Sequence, residues 1–178
     1  MIMNCKETDM GYYLCRASNS IGYPLSKVAH LTVHIPARYT DDVQKNYTVK
    51  RSENTTLECS ASGDKPIFVT WRFGSDTINS QVNPRMRVEN IDTTSRLHVT
   101  RARREDSGVY VCNAENKYGF GETTRRLIVV EPPERPIALK MENRTSQTVT
   151  VSWKQPYNGN SRITAYILQY KNLSGKRI

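Results

Sequence analysis

The chain has 178 residues, enough for one or two ordinary domains, and its 37% hydrophobic content includes no apolar run long enough for a membrane-spanning helix. Its opening, "MIMNCKETD", lacks the basic-then-apolar order of a secretory leader, so any such signal or membrane anchor is expected outside this segment. The net charge of +9 comes from scattered basic residues, densest in "TRARRED" and "TTRRL". These suit either solvated strand faces and turns or contact with a polyanion such as a glycosaminoglycan; no basic helix or aromatic-interleaved motif points to nucleic acid.

The first element is "TDMGYYLCRASNSIG", residues 8–22, which alternates like a strand and ends in a turn. It returns almost residue for residue as "EDSGVYVCNAENKYG", residues 105–119, at an offset of 97. Asp9, Gly11, Tyr13, Cys15, Ala17, Asn19 and Gly22 align with Asp106, Gly108, Tyr110, Cys112, Ala114, Asn116 and Gly119. After the turn, "HLTVHIP" faces "RLIVVEPP" with the register slipped by one. In this alignment Cys5 falls on Ala102, a small inward position, which predicts a buried thiol.

Between the copies lie "TTLECSA", with Leu57, Cys59 and Ala61 on one face, and "IFVTWRF", with Val69, Trp71 and Phe73 on one face. "MRV" and "RLHV" add two strands, and loop signals such as "SGDKP", "NSQVNPR" and "NIDTTS" separate them. No helical period is sustained, so the fold class is all-β. A cysteine, a tryptophan twelve residues on, then a tyrosine two residues before a second cysteine is the immunoglobulin pattern. It predicts a Cys59–Cys112 bridge covered by Trp71, and a Tyr110 whose hydroxyl returns to backbone near the preceding turn. Asp106 is expected to pair with Arg85, or failing that with Arg87. The bridge closes a long loop and is worth about 4 kcal/mol in the chain-entropy picture, and it requires an oxidising compartment.

After Val130 the composition shifts to "EPPERP", a stiff extended link. "TVTVSWKQP" then places Val149, Val151 and Trp153 inward, and "GNSRITAYILQYKN" reads as a strand presenting Ile163, Tyr166, Leu168 and Tyr170. A Trp-bearing strand ending in proline, a Gly/Asn/Ser loop and a Tyr-rich strand resemble the first half of a fibronectin type III domain, with Trp153 and Tyr166 in its core. The expected organisation is tandem immunoglobulin-like sandwiches: 1–34 the last part of one Ig domain, 35–131 a complete I-set Ig domain, and 132–178 the first part of a fibronectin type III domain. Cys15 should then pair with a cysteine about fifty residues before Met1, the Cys59-to-Cys112 spacing.

Four sequons, at Asn46, Asn54, Asn143 and Asn172, are candidate glycan acceptors, with Asn54 at a strand edge and Asn143 in a turn. None of the cysteines forms a close pair, and His30, His34 and His98 fall in strand-like runs without ligand spacing, so neither metal nor cofactor is expected. No nucleophile–base set or phosphate loop occurs, so no enzymatic activity is expected.

The local wording narrows this further. "GYYLCRASNSIG", "LTVHIPA", "GDKPIFVTW", "REDSGVYVCNAENKYG", "VEPPERP" and "NGNSRITAYILQYKN", in this order, resemble the Down syndrome cell adhesion molecule (Dscam) family where its eighth and ninth Ig domains meet the first fibronectin domain. The resemblance implies a single-pass surface receptor on the extracellular side of the plasma membrane. It implies homophilic recognition in axon guidance and neuronal self-avoidance, or in immune recognition. In that family the recognition surfaces lie in other Ig domains, so this segment is expected to act as stalk, with its homophilic partner and membrane anchor engaged elsewhere. The same domain order also occurs in ectodomains of receptor tyrosine phosphatases and kinases, and in titin-like intracellular filament proteins.

Overall fold

The computed structural model describes residue 3 and residues 5–39 and 44–171. Its regular elements are thirteen strands and two short 3-10 turns, an all-β chain among the described residues. Strands β1 (Gly11–Ala17) and β2 (Leu25–Leu31) form an antiparallel hairpin, with Cys15 opposite Lys27. The sandwich follows: β3 (Arg38–Tyr39), β4 (Lys45–Lys50), β5 (Thr55–Ser62), β6 (Phe68–Phe73), β7 (Asp76–Thr77), β8 (Met86–Ile91), β9 (Thr94–Val99), β10 (Gly108–Asn116) and β11 (Gly119–Val130). One sheet runs β4-β11-β10-β6-β7 and the other β3-β5-β9-β8. β4 pairs with β11 in parallel while β3 pairs with β5, so the chain entering the sandwich contributes to both sheets. A second hairpin, β12 (Ile137–Arg144) and β13 (Val149–Lys154), closes the order.

The core follows from alternation on facing strands. Leu57, Cys59 and Ala61 of β5 meet Tyr110, Cys112 and Ala114 of β10, and Leu97 and Val99 complete the inner face. Cys59 and Cys112 are bridged, with their Cα atoms 6.7 Å apart. Trp71 is 1% exposed and sits opposite Cys112 on the neighbouring strand. Its indole N–H needs an acceptor inside an apolar core, and Ser95 Oγ supplies one at 2.8 Å. Ser95 in turn donates to Asn90 Oδ1, and Asn90 donates to the Val69 carbonyl at 3.1 Å. This relay starts in the core at Trp71 and ends at the more exposed Asn90, tying β6 to the β8–β9 pair. The Tyr39 hydroxyl lies 3.0 Å from Cys112 Sγ, and burial pushes its pKa up to about 12.

The two hairpins differ from the sandwich in one respect: among the described residues no second sheet covers either. Tyr12 is 79% exposed and Val149 56%. Cys5, expected to be buried, is exposed, although its aligned counterpart Ala102 is fully buried. The inward register is the same; the facing sheet that would make it inward is missing among these residues. The segment expected as a Tyr-rich strand carries no ladder over 163–170.

Two outcomes follow. Limited proteolysis should digest the β1–β2 and β12–β13 hairpins first and leave a fragment covering about 36–131, because among the described residues only the sandwich covers its apolar faces with a second sheet; equal resistance throughout would contradict this. Ser95→Ala should lower the unfolding free energy of the sandwich by about 1–3 kcal/mol in chemical denaturation, since it leaves the Trp71 N–H without its acceptor in the core. An unchanged midpoint would show that the relay contributes nothing.

Candidate functional site

At the base of the sandwich, Arg85 grips Asp106 with both guanidinium nitrogens, at 2.8 and 3.0 Å. The Arg103 N–H donates to the same carboxylate at 2.8 Å. Asp106 is 3% exposed, so the paired geometry satisfies a charge that could not stay buried alone. Its carbonyl accepts from the Tyr110 hydroxyl at 2.8 Å, and burial raises the Tyr110 pKa well above its ordinary value. Arg87 instead lies exposed on β8, 3.9 Å from Glu89. These contacts set the turn before β10 and hold structure, not chemistry.

The remaining expected residues fall on the surface. Asn46 is exposed on β4, a sheet edge, and Asn54 is exposed one residue before β5, its Oδ1 accepting the Arg101 N–H at 2.9 Å. Asn143 is exposed too, but within β12 beside a bulge rather than in a turn; Asn172 lies outside the described residues. Trp153 and Tyr166 approach each other with ring centroids 5.3 Å apart, yet Tyr166 remains 41% exposed, because no opposing sheet covers it. Of the two arginines in "TTRRL", Arg125 is buried at an inward position of β11, where it donates to the Glu58 and Thr124 carbonyls and to Thr123 Oγ1. Among the described residues no cluster of His, Cys, Asp and Glu could hold a metal ion.

The distinctive geometry is at the two ends of the sandwich. At the entry, the linker 34–38 is inlaid rather than draped. Asp64 N–H donates to the Ile35 carbonyl at 3.0 Å, and the Asn116 amide donates to both the Ile35 and Asp64 carbonyls at 2.9 Å. Gly63 leaves room for this: a Cβ there would stand 2.7 Å from the Pro36 oxygen, and its φ of +142° suits glycine. His34, expected in a strand run, is a linker residue that stacks on Tyr118 at 4.0 Å and contacts Asp64 at 2.9 Å.

At the exit, the "EPPERP" link is bonded on both sides. Glu131 N–H donates to the Gly159 carbonyl at 2.9 Å, and Glu134 N–H to the Tyr157 carbonyl at 3.0 Å. The Asn160 amide reaches back to the Val129 carbonyl at 2.8 Å. Gly159 has φ +67°, and a Cβ there would lie 1.9 Å from the Glu131 oxygen, so no other residue permits this approach. The Glu131 side chain is 2% exposed and shared by Arg104 and by Arg51, the latter at 3.0 Å. The Arg104 hydrogen bond is the main reason its carboxyl titrates below the usual carboxylate range; the Arg51 charge adds to it. Arg104 also reaches Glu134 at 2.8 Å and lies over the Tyr157 ring at 4.0 Å. Sequence patterning offered only Gly159 and the prolines as signals of this joint, since long-range partners such as Arg51 and Arg104 leave no local periodicity.

The immunoglobulin I-set domain family matches residues 39–129 and the fibronectin type III domain family matches 131–178. The cell adhesion molecule Dscam1 of Drosophila melanogaster is 37% identical over 172 residues, 94% of this chain and 8% of that protein. The human cell adhesion molecule DSCAM is 36% identical over 178 residues, 98% of this chain and 9% of that protein. The chain thus spans less than a tenth of the length of these relatives. Among solved structures, titin domains A168-A170 superpose with a TM-score of 0.56 at 27% identity, covering 90% of this chain and 56% of that one. A complex of Dpr2 Ig1-Ig2 with DIP-Theta Ig1-Ig3 gives 0.51 at 27% identity, covering 70% of this chain and 42% of that one. With a family match over half its length, the chain belongs to the immunoglobulin I-set family, and over nearly its whole length it is similar to a segment of the Dscam cell adhesion molecules.

Proposed function

We propose that this chain is a stalk segment of a cell-surface adhesion receptor on the extracellular side of the plasma membrane, holding neighbouring domains at set angles while homophilic recognition occurs elsewhere in the receptor. One observation carries the stalk role: the sandwich is hydrogen-bonded through backbone to the linkers at both ends. A spacer needs that, whereas a flexible tether would leave linker backbone to water. The bridged Cys59–Cys112 pair supports the extracellular placement, because thiols in the cytosol are kept reduced. It weighs against an intracellular filament role, for which the titin likeness speaks; that likeness is carried by the shared I-set sandwich. The division into 1–34, 35–131 and 132–178 belongs to the same proposal, as do glycans on Asn46, Asn54, Asn143 and Asn172, of which the first three are exposed. The Cys15 side chain is exposed on β1 and is proposed to bridge to a cysteine of the preceding part of its domain.

Recognition elsewhere has a direct test. Beads coated with this chain should not cluster, while cells expressing the whole receptor should; clustering by the chain alone would move recognition into this segment. The exit joint has its own. Glu131→Gln should speed amide exchange at 131 and 134 by about tenfold, because the Arg51 and Arg104 clamp loses its charge. The wild-type joint should behave likewise in acid. Since the Glu131 pKa is lowered by folding, its contribution is complete above the ordinary carboxylate range of about 4–4.5 and is lost as pH falls below it. Equal exchange in both proteins at every pH would show that the carboxylate does not hold the joint.

A further inference from the structure

The clamp around Glu131 leaves an unspent set of cations beside it. A cavity of about 610 Å³ is lined by Arg51, Arg101, Arg103 and Arg104 together with Ser52, Glu105 and Glu131. It continues across the joint into a second hollow of about 410 Å³ that shares Arg51 and Glu131 and adds Lys50 and Ser161. The carboxylates present do not neutralise it. Glu131 is committed to Arg51 and Arg104, Glu134 to Arg104, and Glu105 stands 3.6 Å from Arg103. Arg101 makes no ion pair among the described residues, and Arg51 and Arg103 keep 63% and 57% of their side chains exposed. Five cations therefore face three acids in one trough.

The backbone of this trough is also unusual. Ser52 and Arg101, on two different loops, both hold left-handed conformations, with φ of 70° and 51°, which non-glycine residues seldom adopt. Reciprocal bonds keep them there: Ser52 N–H donates to the Ala102 carbonyl and Ala102 N–H to the Glu53 carbonyl, each at 2.8 Å. Asn54 Oδ1 adds the acceptor for Arg101 N–H. The Arg101 backbone is thereby fixed, while its side chain stands at the rim with no ion pair among the described residues.

We propose that this trough is a binding site for a sulfated polysaccharide. Guanidinium forks match sulfate and carboxylate oxygens in pairs, and a trough that runs on past the joint suits an extended polyanion better than a single small anion. Nucleic acid is disfavoured because no aromatic residue lines either hollow among the described residues, which leaves no stacking platform for a base. The proposal rests on the extracellular placement above, where such polysaccharides occur. A chain bound here would span the Ig–fibronectin joint and meet the same arginines that hold it.

The test is binding of the deglycosylated 178-residue chain to immobilised heparin, so that no glycan on Asn54 covers the rim. Arg101→Gln with Arg103→Gln should weaken binding by about tenfold, two exposed ionic contacts being lost. Arg16→Gln with Arg87→Gln, removing the same charge from β1 and β8, should change it by less than about twofold. Binding should fall steeply with added salt and be absent on desulfated heparin. Equal losses in the two double variants would mean diffuse charge attraction, and no loss in the first would mean the trough is unused; either overturns the site. Stronger Arg101- and Arg103-dependent binding to phosphatidylserine vesicles or to single-stranded RNA would overturn the polysaccharide. The placement is read separately, from whether the secreted chain carries the Cys59–Cys112 bridge, so the site can fail with the placement intact.

Discussion

A β-sheet with one apolar face is stable only when another sheet covers that face, and this governs every part of the chain. In the sandwich the two sheets meet across a thin layer, and the Cys59–Cys112 bridge joins them through its centre. Trp71 fills the space beside the sulfurs, and its single polar atom is passed through Ser95 and Asn90 back to the Val69 backbone. Where the second sheet is not present among the described residues, the same alternation leaves tyrosines and valines in water. Tyr110 is fully buried, while Tyr13, aligned to it by the repeat, is 40% exposed and still bonds its hydroxyl to the Asp9 carbonyl at 2.8 Å. The local turn geometry is encoded in a few neighbouring residues, but burial is not.

Charge is used sparingly inside this scaffold and densely at one end. Among the described residues Asp106 and Glu131 are the two buried carboxylates, and each is held by paired arginine nitrogens rather than left to perturb the core. Asp106 secures the turn that launches β10, so it acts within the sandwich. Glu131 is the last residue before the prolines, so its clamp acts between units. Arg104 links the two roles: it lies in the same short turn as Asp106, yet its guanidinium serves Glu131, Glu134 and the Tyr157 ring. Under the stalk role proposed, this coupling anchors the joint to the turn that launches β10.

The likeness to titin and to the Dpr2–DIP-Theta complex shows how little the I-set sandwich alone says about role. The same sandwich occurs in titin and in the Dpr2–DIP-Theta complex. What distinguishes this chain is the disulfide through its core, which needs an oxidising compartment, together with the linkers and surface charges, which decide what the module is joined to and meets. Here the informative surface is the arginine-lined trough at the joint.

Much of this was determined by sequence alone. The offset repeat, the Cys59–Trp71–Cys112 spacing and period-two alternation define an all-β immunoglobulin-like unit, because strand periodicity and cross-core residues are written locally. The pair Arg85 and Asp106 could be named for the same reason: both flank strands of known order. Tertiary structure decided the rest. It turned Arg125 inward among backbone carbonyls, set Ser95 and Asn90 under Trp71, drew Arg51 and Arg104 onto Glu131, and left Cys5 exposed at a position whose counterpart Ala102 is buried. Each of these depends on which distant segment arrives opposite a residue, and no local period records that arrival.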